Sequence, residues 1–177
     1  MQAVMDDDLI TRISGRLLRE PEVFDATAGM LPDWVPDTPP GRPPVPAAVL
    51  IALVKRAEGL SILYTERSPE LRSHSGQIAF PGGKVDPTDK DAADAALREA
   101  WEEVQLERSE AQVLGFMPLY YTGTNYLITP VVAVVEPTRP FIPNPGEVRS
   151  VFEVPLDYLM TPGSYSTFHI KRGGREH

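Results

Sequence analysis

The sequence predicts an α+β domain or a three-layer sandwich, not a chain of regular βαβ repeats. Two observations predict it. Strand-like apolar runs lie on both sides of one central helical stretch. No segment repeats within the 177 residues, a length that suits one domain with a sizeable core.

The elements follow in order. Asp6 to Asp8 precede Leu9, Ile10, Ile13, Leu17 and Leu18 at helical spacing, with Arg16 and Arg19 towards the end. Acid first and base last suits the helix dipole and predicts a helix over 7–19. Residues 20–45 carry seven prolines and little periodicity. They read as a long loop that wraps the domain or serves a partner subunit, so a homodimer is allowed. The run Ala47-Ala48-Val49-Leu50-Ile51-Ala52-Leu53-Val54 predicts a buried strand, with Gly59 turning the chain into a partner over 60–65. Gln77 to Phe80 predicts a short strand leading into a Gly82-Gly83 turn. A helix follows over about 91–104, capped by Asp89 or Asp91. Residues 113–121 and 126–135 predict two strands, and 147–154 mixes strand and turn signals. Residues 156–159 start a short helix, and 167–171 predict a last strand.

Composition narrows the function. The net charge of -8 argues against a general nucleic-acid binder, which needs a basic footprint. No apolar run approaches a membrane span, and no targeting segment opens the chain. The absence of cysteine excludes disulfides and thiolate metal sites and suits a cytoplasmic setting.

The acid is concentrated. Residues 86–110 hold nine acidic and three basic side chains, a balance of -6. At about 100° per residue, Glu99, Glu102 and Glu103 fall within an arc of about 100°, while Ala93, Leu97, Ala100 and Val104 share another face. Like charges at this spacing repel, so a cation is expected to offset them. Mg²⁺ takes such oxygen ligands together with substrate phosphates. A solvated acidic helix face is the plain alternative. Arg98 is the local cation, though it starts on the far side of the helix.

Gly83, five residues, Asp89 and then Arg98-Glu99-Ala100-Trp101-Glu102-Glu103-Val104-Gln105-Leu106 resemble the Nudix box of nucleoside diphosphate-linked pyrophosphatases. Three departures stand out: Asp89 replaces Glu, eight residues rather than seven precede the Arg, and Gln105 replaces Gly. Glycine favours the left-handed residue at a helix end, so Gln105 is expected to weaken that geometry. The longer aspartate-rich loop is similar to the coenzyme A pyrophosphatase branch. So are Tyr64-Thr65-Glu66-Arg67-Ser68, Leu71-Arg72-Ser73-His74-Ser75-Gly76-Gln77 and Phe80-Pro81-Gly82-Gly83. The likeness is close over 63–106 and looser over 45–175.

The resemblance implies one Nudix domain over 1–177, an α/β/α sandwich with a mixed sheet, with 1–45 supplying the helix and proline-rich loop. It also implies a further strand and helix after His177, so the chain is expected to be short or truncated. Glu99, Glu102 and Glu103 match the positions that hold Mg²⁺ or Mn²⁺. The implied substrate is a small nucleoside diphosphate compound, coenzyme A or its thioesters. ADP-ribose or another nucleotide is an alternative, as is a module that binds a nucleotide without cleaving it.

The remaining residues are weighed singly. Arg98 is expected to orient the carboxylates by bidentate pairing. Glu147 orients or deprotonates the attacking water, or is an ordinary loop acid. Arg67, Arg72, His74 and Gln77 are read as substrate-binding residues before the glycine turn, the two arginines and the imidazole reading the extra phosphate of coenzyme A, with two alternatives. His74 is otherwise a buried hydrogen-bonded histidine, and the two arginines otherwise brace the loop against Asp86 or Asp89. Gly82 and Gly83 provide a tight turn or let phosphate approach. Trp101 faces away and packs. Tyr120, Tyr121 and Tyr126 pack in the core or sheet in preference to stacking on adenine. No partner pattern surrounds His169.

Overall fold

The computed structural model describes residues 2–23, 43–70, 76–166, 171–172 and 175–176. Its frame is strand β1 (Val45–Arg56), inside an eight-stranded mixed sheet. Ala48, Leu50, Ala52 and Val54 are buried on one face, and Leu53 is buried on the other. Burial on both faces explains the continuous apolar run. β2 (Gly59–Arg67) folds back antiparallel, with Leu53 opposite Ile62. β3 (Ile78–Ala79) pairs with the far end of β2. The expected glycine turn is itself a strand, β4 (Gly82–Lys84), which sets Gly83 opposite Ala48 of β1.

Helix α1 (Gln2–Ser14) opens the chain and α2 (Ala92–Val104) follows β4. β5 (Ala111–Phe116) and β6 (Tyr120–Tyr121) both pair with β7 (Tyr126–Val135). β7 runs parallel to β1, from Tyr126 opposite Val45 to Val135 opposite Val54. β8 (Val148–Pro155) lies antiparallel to β2 and leads into α3 (Leu156–Met160). β9 (Lys171–Arg172) and β10 (Arg175–Glu176) pair with each other.

The sheet is covered on both faces. Ala95, Ala96, Ala100 and Val104 of α2 pack on the face formed by Leu50, Ala52, Leu63 and Val131. Ile10 and Ile13 of α1, with Leu156 and Leu159, pack on Leu53, Ile62, Val132 and Val134. This is the expected α/β/α sandwich, with α2 lying between the sheet and the acidic side chains it presents. Among the described residues no helix is long and apolar enough to cross a membrane.

Two boundaries differ from expectation. α1 spans 2–14, not 7–19, because Gly15 closes the last turn and the chain then extends. Leu18 exchanges two backbone hydrogen bonds of 2.9 Å with Phe116, so the last leucine meets the core from extended chain. The strand expected over 113–121 divides into β5 and β6, with an irregular register between Val113 and Gly115. Of the strand expected over 167–171, residues 167–170 lie outside the described residues, as does His169.

Candidate metal and active site

Two aspartates start the site, and they divide the work. Asp91 is the N-cap of α2: its Oδ1 accepts the Asp94 N–H at 2.7 Å. Asp89 does something else. Its side chain is only 3 % exposed, and its two oxygens accept from Arg98 Nε at 2.9 Å and Nη2 at 3.0 Å. The Asp86 N–H adds a third bond at 2.7 Å. The hydrogen bond from Arg98 is the main reason the Asp89 carboxyl stays below the usual carboxylate range.

Arg98 starts from the far side of the helix, but its long stem carries the guanidinium round. Nη1 donates to Glu99 Oε1 at 2.9 Å and to Glu102 Oε2 at 3.2 Å. Nη2 also donates to the Lys84 carbonyl at 3.1 Å. The bidentate partner is therefore Asp89, and the glutamates receive single bonds.

The other end of α2 brings in a distant loop. Gln105 itself adopts the left-handed conformation, with φ 57 and ψ 34, and donates to the Trp101 carbonyl at 2.9 Å. Ile142 N–H bonds the Val104 carbonyl at 3.0 Å, and Asn144 N–H bonds the Glu103 carbonyl at 2.8 Å. These bonds satisfy helix-end carbonyls that lack partners within the helix. They also anchor Glu147, whose own carbonyl accepts from Ser68 N–H at 2.8 Å.

The outcome is a cluster. Glu99, Glu103 and Glu147 each bring a carboxylate oxygen within 4.8 Å of the others. Glu103 is 2 % exposed. Its Oε2 accepts the Gly82 N–H at 3.3 Å, and Arg67 Nη1 lies 3.7 Å from its Oε1. Burial pushes the Glu103 carboxyl up to about 7, with Glu99 and Glu147 adding to the rise while Gly82 N–H and Arg67 oppose it. Burial likewise raises the Glu99 carboxyl, against the pull of Arg98.

Both glycines are needed for space. A Cβ on Gly83 would lie 2.5 Å from the Glu99 carboxyl carbon, and one on Gly82 would lie 2.4 Å from the Ala48 carbonyl oxygen. The first keeps room for a carboxylate and the second lets β4 lie against β1. An all-oxygen set of three close carboxylates, short of counter-charge, fits a hard divalent cation such as Mg²⁺ or Mn²⁺.

Glu102 is not part of the group of three: its side chain is 44 % exposed and reaches Arg98. Glu147, expected to orient or deprotonate the attacking water or to be an ordinary loop acid, stands in that group. Arg67 braces neither Asp86 nor Asp89; it faces Glu103, while Asp86 bonds Thr88. Arg72 and His74 lie outside the described residues. Gln77 is exposed, and its carbonyl accepts from Arg67 N–H at 3.0 Å. Trp101 does not pack inward: it is 44 % exposed, with the Arg139 guanidinium 5.7 Å from its ring centroid. Tyr120 is 62 % exposed, and Tyr121 Oη donates to Asn125 Oδ1 at 2.6 Å. The sequence marks Asp89 as a motif position and a candidate cap, not as the partner of Arg98. An acid nine residues before an arginine, in a chain whose family pattern has glutamate there, was the available signal.

Residues 44–171 match the family model of the NUDIX domain, and the chain belongs to that family. It is a Nudix hydrolase, of the pyrophosphatases acting on phosphorus anhydrides, which generally use divalent metals. A relative from Escherichia coli K12, named Uncharacterized Nudix hydrolase NudL, is 46% identical over 131 residues, covering 74% of this chain and 68% of that one. The Nudix hydrolase RenU of M. smegmatis has a similar structure, with a TM-score of 0.55 at 22% identity over 67% of this chain and 74% of that one. The NUDIX domain of Shewanella oneidensis NrtR, solved with ADP ribose, has a TM-score of 0.52 at 17% identity over 78% and 83% of the two chains. The two structures show that the fold is shared.

Proposed function

We propose that this enzyme hydrolyses the diphosphate linkage of coenzyme A or its thioesters, giving 3′,5′-ADP and 4′-phosphopantetheine or its acyl form. The observation that carries the reading is the convergence of Glu99, Glu103 and Glu147 beside the Gly82-Gly83 strand. The choice of coenzyme A rests on the run from Tyr64 to Gly83, which resembles that branch of the family.

In this reading Glu99 and Glu103 hold Mg²⁺ or Mn²⁺, with Glu102 at their margin. The ion, when bound, neutralises the diphosphate and lowers the pKa of a water. Glu147 accepts the proton of the attacking water or orients it. Arg98 fixes Glu99 and Glu102 against the loop through Asp89. The water oxygen joins one phosphorus, and the bridging oxygen leaves with the other phosphate. Arg67, Arg72, His74 and Gln77 meet the substrate before the glycine pair.

A second reading, ADP-ribose or another nucleoside diphosphate derivative, draws on the ADP ribose found with the NrtR domain. A panel of diphosphates incubated with Mg²⁺, with products resolved by mass, separates the two. Coenzyme A should be cleaved with the highest kcat/KM. Preferred cleavage of ADP-ribose would move the assignment, and binding without any cleavage would leave a non-catalytic module.

A further inference from the structure

The two arginines at the carboxylate cluster are used differently. Arg98 employs all five of its N–H donors, on Asp89, Glu99, Glu102 and the Lys84 carbonyl. Among the described residues, Arg67 makes only a loose ion pair. Its Nη1 stands 3.7 Å from Glu103 Oε1, beyond hydrogen-bond length, and its Nε is buried with no hydrogen-bond partner. Its backbone is nonetheless held fast: Arg67 N–H bonds the Gln77 carbonyl at 3.0 Å, and Gly76 N–H bonds the Arg67 carbonyl at 3.2 Å. The main chain is fixed while the guanidinium is under-used. A buried donor without an acceptor is costly, so a ligand oxygen would be gained at little expense.

We propose that Arg67 is the built-in counter-cation of the carboxylate cluster, competing with the divalent ion for Glu103 and passing to a diphosphate oxygen once that ion binds. This rests on the metal-dependent diphosphate reading above. The charges facing Arg67 are Glu103 directly, with Glu99 and Glu147 in the same cluster. A planar guanidinium whose Nε has no acceptor and whose Nη1 is loosely paired suits phosphate oxygens. Because the same side chain would serve both, metal and diphosphate binding would be coupled: Arg67 would leave Glu103 when that carboxylate holds a cation, and a diphosphate oxygen would keep it from returning.

Calorimetric titration of Mn²⁺ into the full chain without substrate tests this. Arg67→Met keeps the stem and removes the charge, so Mn²⁺ should bind about tenfold tighter. Arg67→Lys should stay near wild type. A methylene-bridged ADP analogue, which resists hydrolysis, should tighten Mn²⁺ binding to the wild type and leave Arg67→Met almost unmoved. Unchanged Mn²⁺ affinity in Arg67→Met, or equal tightening by the analogue in both proteins, overturns the inference while leaving the metal site intact. Failure of the wild type to take up Mn²⁺ removes the metal reading and this inference with it. Arg67→Gln carries the same test should the methionine variant fail to fold.

Discussion

Arg98 holds Asp89 through both carboxylate oxygens, at 2.9 and 3.0 Å, across nine residues of chain. The pair joins the loop after β4 to the helix that carries the glutamates. The same guanidinium then reaches Glu99 and Glu102. Lysine offers a point charge and cannot clasp two oxygens in a plane. Arg98→Lys should therefore lower kcat/KM about ten- to a hundredfold, as losses of groups that orient metal ligands do. Asp89→Asn should cost about 2 kcal/mol in urea unfolding, from the weakened charge-assisted bonds. With the unfolding free energy measured for both single variants and the double, the two losses should be less than additive; full additivity would mean that the two residues act independently.

The glutamates should rank by position. Glu103 is buried in the group of three and Glu102 is not. Glu103→Gln should lose at least about a hundredfold in activity, with the fold intact by circular dichroism. Glu102→Gln should lose less. Equal losses would place Glu102 on the ion as firmly as Glu103.

Glu103 also ties stability to pH. Burial pushes its carboxyl up to about 7, against an ordinary value of 4.5. Between these values the folded chain binds more protons than the unfolded one, so stability falls as pH rises through the window. The loss is at most about 3 kcal/mol. A divalent ion binds the ionised form and stabilises the fold that holds it. The rise in Tm caused by Mn²⁺ should therefore be larger at pH 7.5 than at pH 5. A rise independent of pH would disconnect Glu103 from the ion.

The two glycines should part company. Gly82→Ala drives a Cβ against the Ala48 backbone, which has nowhere to go, and should destabilise the β1–β4 pairing by about 2 kcal/mol or more. Gly83→Ala has the end of the Glu99 side chain as its nearest neighbour. It should leave Tm within a few degrees and still cut activity at least tenfold, by about the loss expected for a displaced ligand. Activity assays and thermal melts on the same samples distinguish them.

Gln105 offers a gain. It is held at φ 57, a conformation that costs a side-chain-bearing residue about 1–2 kcal/mol. Gln105→Gly removes that strain and adds unfolded-state entropy, for a net gain of about 0.5–1 kcal/mol. A lower denaturation midpoint would show that the glutamine side chain makes a compensating contact.

The sequence by itself determined what depends on neighbours in the chain. The apolar run 47–54 had to be a buried strand, and the spacing of Ala93, Leu97, Ala100 and Val104 had to make one packed helical face. Glu99, Glu102 and Glu103 fall in one arc outside that face, so two members of the cluster were legible from periodicity, together with Glu102, which stands outside it. Tertiary structure decided the rest. Which aspartate caps α2 and which grips Arg98 depends on how the loop 86–91 folds back, and both carry the same chemistry. The pairing of Gly82 and Gly83 with β1 looked like a turn because a three-residue strand has no period of its own. Glu147 lies 44 residues after Glu103, and its place in the cluster comes from Asn144 and Ile142 bonding the open carbonyls at the end of α2. Backbone groups carry that link, and every residue but proline has the same ones. No side-chain pattern could have announced it, and only the folded chain brings the third carboxylate to the other two.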